Sequence, residues 1–363
     1  MRLRPQGALA LANVQVVPDP IDAGFHALLR AGVDFDPLYP TQQFGPLADH
    51  LPMALSALHA HGASEADLQR FRAAYARKLV PVRVAGTRPI SLSDDWQSVL
   101  GCEPAYPALL AAFTEEISAD GRDAVLRRWL PRLVDALAVQ ALHSLIRVAV
   151  ATTHSVDEEL AAALAYWCTS YVAVPRPSGE RREGSVADLF TAVRTHPEGG
   201  ACALRESGFG ARLNEFAGRP AFAEISGWRP LGMDLAAMAR EGARVYLGTG
   251  DFFALHMVTG SHALRLLLPW MTEHEAVLDR WWQALAATYV IIGAPDYAQW
   301  REVCEAETLP EGGEVLAAAI ASLAHDDPEH VVKLLWSARE EFVCYGFAEQ
   351  ARIDARLVAK MQG

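Results

Sequence analysis

A formal net charge of −12 spread over 363 residues argues against a nucleic-acid partner, because phosphate contacts need clustered Lys and Arg side chains. The same negative charge argues against docking on anionic membrane surfaces. Hydrophobic residues make up 51% of the chain and charged residues 21%, a composition that is typical of globular proteins and excludes extensive disorder.

Helical periodicity dominates the first half of the chain, and the pattern predicts an all-α fold. We expect a multi-helix bundle that forms one large domain over residues 1–363, with a less regular N-terminal segment at 1–40. Gly62 should end the first helix, Ser64 should start the second, and Pro131 should bend or break the fourth. The predicted helices of this half cover residues 47–62, 64–79, 103–121, 122–154 and 156–174.

Polar loops at residues 175–185 and 226–232 lead into the second half of the chain, which is again helical. The predicted helices there cover residues 233–250, 251–270, 273–293, 314–325 and a closing segment from Pro328. Short β-like runs such as residues 79–84 are too few to form a sheet that carries the fold.

The cysteines are odd in number and include no C-x-x-C pair, which argues against a disulfide framework and a structural zinc motif. They are Cys102, Cys168, Cys202, Cys304 and Cys344. The N-terminal run "MRLRPQGALALANVQVVP" is a poor signal peptide, because Asn13 and Gln15 interrupt its apolar stretch. No stretch approaches the roughly 20 apolar residues of a membrane span. We therefore expect reduced thiols in a cytoplasmic protein.

The common catalytic and cofactor motifs are missing from the sequence. There is no G-x-G-x-x-G after a predicted strand, no P-loop, no H-E-x-x-H and no G-x-S-x-G. The chain therefore lacks an obvious dinucleotide or flavin site of its own.

Histidines inside apolar helices are the strongest remaining signal. "DFFALHMVTGSHALRLLLPW" is apolar almost all round and predicts a buried helix with His256 in its middle. Gly260, one turn later, could leave room beside the ring for a metal or a substrate. His143 lies in a similar helix, with Arg147 one turn along, and Arg is seldom buried without an anionic partner.

The segment "HDDPEHVVKLLW" reads as a helix start in which Asp327 is the N-cap and Pro328 takes the first helical position. His330 then lies in the first turn, where the positive end of the helix dipole favours its neutral, metal-binding form. Lys333 follows on nearly the same side. His50 lies in or near the first turn of another helix.

A single buried histidine, taken alone, is more often an ordinary hydrogen-bonded core residue than a metal ligand. His262 is six residues past His256, on roughly the opposite side of the helix, so the two should not share a site. No spacing rule connects histidines on four distant helices. The other histidines are expected at the surface: His26, His59, His61, His154, His196, His274 and His325.

Five segments around these residues resemble, in the same order, the questin oxidase family, which includes bacterial members and fungal enzymes of polyketide tailoring. The resemblance extends from about His50 to the C-terminus. Its most specific parts are "DFFALHMVT" and "DDPEHVVKL". We expect a bacterial member of the family. The segments are "DWQSVLGCEPAYPALLAAFTEEI", "ALHSLIRVAVA", "ALAYWCTSYVAVP", "DFFALHMVTGSHAL" and "DDPEHVVKLL".

This resemblance implies an all-helical fold and oxygen-dependent ring opening of anthraquinone-type substrates, either as a Baeyer–Villiger-like oxidation with NADPH or by non-haem iron. Carried over residue by residue, it implies the metal ligands His50, His143, His256, His330 and a carboxylated Lys333. An ammonium group would be repelled by a metal ion, whereas a carbamate is an anionic oxygen donor. Such a ligand set suits Fe(II), with zinc and manganese as alternatives.

The sequence thus predicts a metal-dependent oxidoreductase, a dioxygen-using oxygenase of a small aromatic or quinone-like molecule, with NADPH as an optional co-substrate. Arg147, Asp251 and Thr259 are candidates for roles beside the metal, and Tyr166 and Trp167 for stacking on the substrate. Two alternatives stay open: a metal-dependent hydrolase, and a non-catalytic helical protein that binds a small molecule.

Overall fold

The described part of the chain is built from helices joined mostly by short loops. The computed structural model describes residues 22–41, 46–83, 89–94, 96–178, 181–182, 184–200, 204–229, 232, 234–298, 309–324 and 327–362. Within these ranges it has sixteen α-helices: α1 (Ala23–Arg30), α2 (Leu51–Ala60), α3 (Glu65–Tyr75), α4 (Tyr106–Asp120), α5 (Arg122–Leu133), α6 (His143–Thr152), α7 (Asp157–Thr169), α8 (Val186–Thr195), α9 (Phe209–Ala217), α10 (Pro220–Ser226), α11 (Leu235–Thr249), α12 (Ala254–Leu267), α13 (His274–Ile291), α14 (Gly312–Ser322), α15 (Pro328–Tyr345) and α16 (Ala348–Gln362).

β-Structure is minor in these residues, and the predicted all-α fold is confirmed. The two strands, β1 (Leu38–Tyr39) and β2 (Leu47–Ala48), form an antiparallel pair in which Leu38 lies opposite Ala48. The strands contribute only Tyr39 and Ala48 to the buried core, so helices supply most of it.

Several helices begin and end where local chemistry predicts. α3 follows Ser64, whose hydroxyl accepts a hydrogen bond from the backbone N–H of Asp67 while the Asp67 carboxylate accepts one from the N–H of Ser64. Pro328 occupies the first turn of α15. α4 ends before Gly121, whose φ of +84° suits glycine.

Two predicted boundaries are wrong, and one is confirmed. The first helix begins at Leu51 rather than at residue 47, because the intervening residues include β2. The 122–154 pattern does break near Pro131, since α5 ends at Leu133, and a second break that was not predicted follows at Gln140–Leu142. The closing pattern is two helices, α15 and α16, separated by Gly346 with a φ of +73°.

Four helices enclose the region that carries the candidate metal ligands. α2 packs against α6 and α15, and α12 packs against the same two helices. The remaining side of α12 is covered by α11, so residues 254–264 are buried all round, as the apolar pattern predicts. Each of the four helices can therefore direct a side chain into one shared interior.

Residues 1–21 of the predicted N-terminal segment lie outside the described residues, and α1 lies in the rest of that segment. Among the helices that the structure describes, none is long and apolar enough to cross a membrane. Cys202 and Cys304 also lie outside the described ranges. The described cysteines are free thiols: Cys102, Cys168 and Cys344.

Candidate metal centre

Four of the histidines meet in the interior between α2, α6, α12 and α15. The Nε2 atom of His143 lies 2.6 Å from that of His50 and 3.1 Å from that of His256. The ring centroid of His330 lies 4.6 Å from that of His50. None of these residues, which we call the histidine cluster, is more than 6% exposed. Ring nitrogen atoms of His50, His143 and His330 lie within 4.8 Å of one another, close enough to share a metal ion.

Two of the imidazoles lie at helix N-termini, one just before α2 and the other at the first residue of α6. His50 immediately precedes α2, and its backbone N–H donates to the Tyr75 hydroxyl, which also lies 3.2 Å from the Nδ1 atom of the His50 ring. His143 is the first residue of α6. It follows Gln140, Ala141 and Leu142, whose φ angles are +50°, +51° and +70°. Such left-handed conformations cost about 1–2 kcal/mol for each non-glycine residue, and here they bring the Gln140 carbonyl against Nδ1 of His143.

The other two imidazoles are oriented by acceptors close to them in sequence. Nδ1 of His256 lies 3.0 Å from the carbonyl oxygen of Phe252, and Nδ1 of His330 lies 2.6 Å from Oδ1 of Asp327. The predicted N-cap position of Asp327 is confirmed, although no backbone N–H of α15 donates to its carboxylate. The carboxylate is engaged by His330 instead.

These contacts determine which nitrogen carries the proton in three of the four rings. Carbonyl oxygens only accept hydrogen bonds, so neutral His143 and His256 donate from Nδ1, and the Asp327 carboxylate favours the same tautomer in His330. The contact of His50 with the Tyr75 hydroxyl suits either tautomer, because a hydroxyl can donate or accept. Lone pairs on the Nε2 atoms of the other three rings then face the middle of the histidine cluster. Histidine ligands of metals are commonly held this way, with the other ring nitrogen donating to a carbonyl or a carboxylate.

Burial keeps the whole cluster uncharged. Desolvation lowers the pKa of His50 and of His330 well below the usual value, and the positive charge of Lys333 lowers it further. Desolvation also lowers the pKa of His143 and of His256, with neighbouring imidazoles adding to the effect. The neutral form that this burial enforces is the form that binds metals.

Lys333 lies on α15, one turn after His330, and approaches the same interior. It is 2% exposed, and its Nζ atom has no hydrogen-bond partner. Burial lowers its pKa to about 7, although the nearby carboxylates of Glu329 and Asp327 oppose the shift. The charge of Lys333 lowers the pKa of every imidazole in the cluster, so the amine lies near all four. Buried amines without a partner are rare in ordinary cores.

The space beside Lys333 is small. A cavity lined in part by Thr259 and Lys333 has room for about one water molecule. The Thr259 hydroxyl is buried and lacks a hydrogen-bond partner. The expectation that Gly260 leaves room for a ligand is wrong, because a Cβ atom there would lie 2.7 Å from Trp281 and 2.9 Å from Leu142. Gly260 instead permits close packing of α12.

Arg147 has the anionic partner that its burial requires. Its guanidinium donates to Glu159 through Nε at 2.8 Å and through Nη2 at 3.1 Å, and both side chains are at most 3% exposed. Nη1 lies 3.9 Å from Oδ2 of Asp49, the residue before His50. Arg147 therefore links α6 to α7 and to the start of α2, and this placement indicates a positioning role rather than contact with a substrate.

Three further candidates have structural roles in these positions. The Asp251 carboxylate accepts hydrogen bonds from the backbone N–H groups of Phe253 and Ala254 and so caps α12. Tyr166 and Trp167 are fully buried, and the Trp167 indole donates to the backbone carbonyl of Ala136. Both rings pack in the core, and their stacking on a substrate stays a prediction.

The remaining histidines lie apart from the cluster. His262 points away from it, as expected, and contacts the Ser337 hydroxyl at 3.1 Å. The expected surface location is wrong for His26, which is 6% exposed, and for His154, whose Nε2 atom contacts the Ser56 hydroxyl at 2.8 Å. His59, His61, His196 and His274 are partly buried. His325 lies outside the described residues.

Sequence reasoning missed Tyr75, Glu159 and the carbonyl of Gln140, which orient the cluster or its helices. Tyr75 and Glu159 contact their partners across 25 and 12 residues, and no local motif marks either of them. The carbonyl is a backbone group, so a side-chain pattern does not reveal it. A second possible metal group, Asp327, Glu329 and His330, shares one histidine with the cluster.

One family model matches the chain, and it is described as Questin oxidase-like. The match covers residues 47–338, most of the chain, and includes the whole histidine cluster and Lys333. The chain therefore belongs to the questin oxidase-like family, which confirms the resemblance seen in the sequence. A search of curated proteins finds no match.

Proposed function

We propose that this member of the questin oxidase-like family is a metal-dependent oxygenase that uses dioxygen to oxidise a small aromatic or quinone-like molecule. His50, His143, His256 and His330 hold the metal, Fe(II), and Lys333 in carboxylated form completes the ligand set. We further propose that the protein acts in the cytoplasm. The family supports an oxidase-type enzyme, and the cluster supports the metal.

The convergence of the Nε2 atoms carries this proposal. His50 and His143 approach to 2.6 Å through Nε2, while the Nδ1 atom of His143 is already committed to a carbonyl oxygen. A neutral His50 can place one N–H among the four Nε2 atoms, but the Nε2 lone pairs of the other three rings remain, and Nε2 of His330 has no hydrogen-bond partner. Because burial disfavours the protonated rings, a metal cation suits these converging lone pairs better than further protons.

The orphaned amine of Lys333 supports the carboxylated form. Its neutral nitrogen can attack carbon dioxide, so that an N–C bond forms, one proton leaves and the product is an anionic carbamate. Burial provides the neutral amine near pH 7, because it lowers the pKa of Lys333 to about 7. The carbamate would then neutralise part of the charge of a divalent ion among otherwise neutral ligands.

The metal and the protein contribute different parts of the chemistry. A bound Fe(II) ion would supply the one-electron chemistry that dioxygen requires. The four helices exclude water from the centre, since no ligand residue is more than 6% exposed. The chain shows no dinucleotide motif, so NADPH would act as a diffusing co-substrate where it takes part.

Metal content of two histidine variants tests the proposal. His256→Ala removes a cluster imidazole, and His262→Ala removes a buried imidazole of the same helix that contacts Ser337 instead. Elemental analysis of anaerobically purified protein should find near-stoichiometric iron in the wild type and in His262→Ala. His256→Ala should bind iron more than about tenfold more weakly. Equal iron in both variants, or none in the wild type, would show that these are core histidines.

The lysine ligand and the reaction class need separate measurements. Lys333→Met should lose a ¹³C carbamate signal obtained with labelled bicarbonate, whereas Lys360→Met, at an exposed lysine, should retain it. An oxygen electrode with an anthraquinone-type compound, with and without NADPH, should record oxygen uptake only in the iron-loaded protein. Anaerobic cleavage of an ester or amide would instead support a metal-dependent hydrolase.

A further inference from the structure

Phe252 is an exposed aromatic residue at the edge of the buried histidine cluster. Its ring lies 4.7 Å from that of His330 and 5.4 Å from that of His256, measured between centroids. Both histidines are at most 5% exposed, whereas Phe252 is 47% exposed. A single exposed apolar side chain is ordinary at a protein surface, but this one covers two buried imidazoles. Among the described residues, this ring therefore lies between two cluster imidazoles and solvent.

The backbone of Phe252 is fixed by hydrogen bonds on both sides of it. Its carbonyl oxygen accepts from Nδ1 of His256, and the Asp251 carboxylate holds the N–H groups of the two following residues. The turn that carries the ring is thus tied to the cluster and to the start of α12. Rotation about the side-chain bonds can move the ring without breaking these contacts.

The space beside Lys333 is too narrow for a substrate. The cavity there holds about one water molecule, and Trp281 and Leu142 fill the space beside Gly260. Tyr166 and Trp167, on α7, are fully buried. The face that Phe252 covers, in contrast, adjoins solvent.

We infer that Phe252 is the entrance residue of the histidine cluster: its ring shields the metal site and sets how fast larger molecules reach it. This inference rests on the proposed metal site. The ring also offers an aromatic face to a planar substrate, against which it can stack. Phe252 is a positioning and access residue, since none of its side-chain atoms can bind a metal.

The rate of metal removal tests the inference without knowledge of the substrate. The protein is loaded with Co(II), which is stable in air, and mixed with excess EDTA, a chelator much larger than water. Phe252→Ala removes the ring and keeps the carbonyl that holds His256. Metal release should become about tenfold faster, which corresponds to about 1.4 kcal/mol of opening free energy no longer needed. Phe252→Leu is a smaller change to the fold, and its rate of metal release should lie between those of the wild type and Phe252→Ala.

Phe253 provides the matched control, because it is the next residue and its ring packs against the rings of Phe209, 5.3 Å away, and Phe252, 5.5 Å away, rather than against a cluster imidazole. Phe253→Leu should change the release rate by no more than a factor of about two. Equal Co(II) content with an unchanged release rate in Phe252→Ala would overturn the entrance role and leave the metal site intact. Absence of Co(II) binding in the wild type would overturn both.

Discussion

Removal of the Arg147 guanidinium should destabilise the protein strongly, because Glu159 would remain as a lone buried carboxylate. Arg147 donates two hydrogen bonds to Glu159, and the two side chains are 1% and 3% exposed. Loss of one partner of such a pair typically costs about 3–5 kcal/mol. We expect Arg147→Met, which keeps most of the apolar volume, to lower the free energy of unfolding by this amount in urea titrations followed by circular dichroism.

The loss in Arg147→Met should also depend on pH. Burial raises the pKa of Asp49 to about 6 and also raises the pKa of Glu159, while Arg147 opposes both shifts. Without Arg147 both folded-state pKa values rise further above the unfolded-state values. A carboxyl group with a raised folded pKa loses stability as pH rises through the interval between the two values. The variant should therefore be closest to wild type near pH 4 and furthest from it above pH 7.

Two further variants separate the buried pair from a general effect of losing an arginine. Arg147→Met with Glu159→Leu should recover most of the stability, since an apolar pair can replace a buried ion pair. Arg70→Met, which removes an arginine that is 70% exposed and paired with Asp67, should cost less than about 1 kcal/mol. A coupling energy below about 0.5 kcal/mol between positions 147 and 159 would refute the account of the pair.

Two other predictions concern packing and titration away from the histidine cluster. Gly260→Ala should lower the free energy of unfolding by about 1–3 kcal/mol, because its Cβ would meet Trp281 at 2.7 Å. Gly313→Ala, in α14, has nothing within 4 Å of the new Cβ and should raise the free energy of unfolding by about 0.5–1 kcal/mol. Equal thermal stability of Gly260→Ala and Gly313→Ala would contradict the packing argument. Asp354→Asn should remove a loss of stability that the wild type shows between about pH 4 and pH 7, since burial raises the folded pKa of Asp354 to about 7. Parallel pH profiles of the wild type and Asp354→Asn would show that this carboxyl does not titrate as proposed.

Much of the fold could be predicted because it depends on local chemistry. The capping pair of Ser64 and Asp67 starts α3, and the unbroken apolar pattern around His256 marks a buried helix. The break at Gln140–Leu142 could not be predicted in the same way. These residues carry no turn signature, and they take left-handed conformations only because the surrounding packing imposes them.

The candidate centre was predictable only through the family resemblance. His143 contacts His50 across 93 residues and His256 across 113, and no spacing rule spans such distances. The role of Gly260 could not be predicted from the sequence either. A missing side chain is equally consistent with an open site and with a close approach of two helices. Only the positions of Trp281 and Leu142 distinguish the two.

The charge balance of the centre connects the lysine to the histidines. With four neutral imidazoles, a divalent ion would place two buried positive charges beside an amine that is itself cationic below about pH 7. A divalent ion and a unit positive charge about 4 Å apart repel by about 8 kcal/mol at an effective dielectric constant near 20. Carboxylation replaces that repulsion by an attraction, since the same side chain then carries a negative charge. Metal binding and lysine modification should therefore be coupled, so that iron affinity rises with bicarbonate concentration in the wild type and not in Lys333→Met.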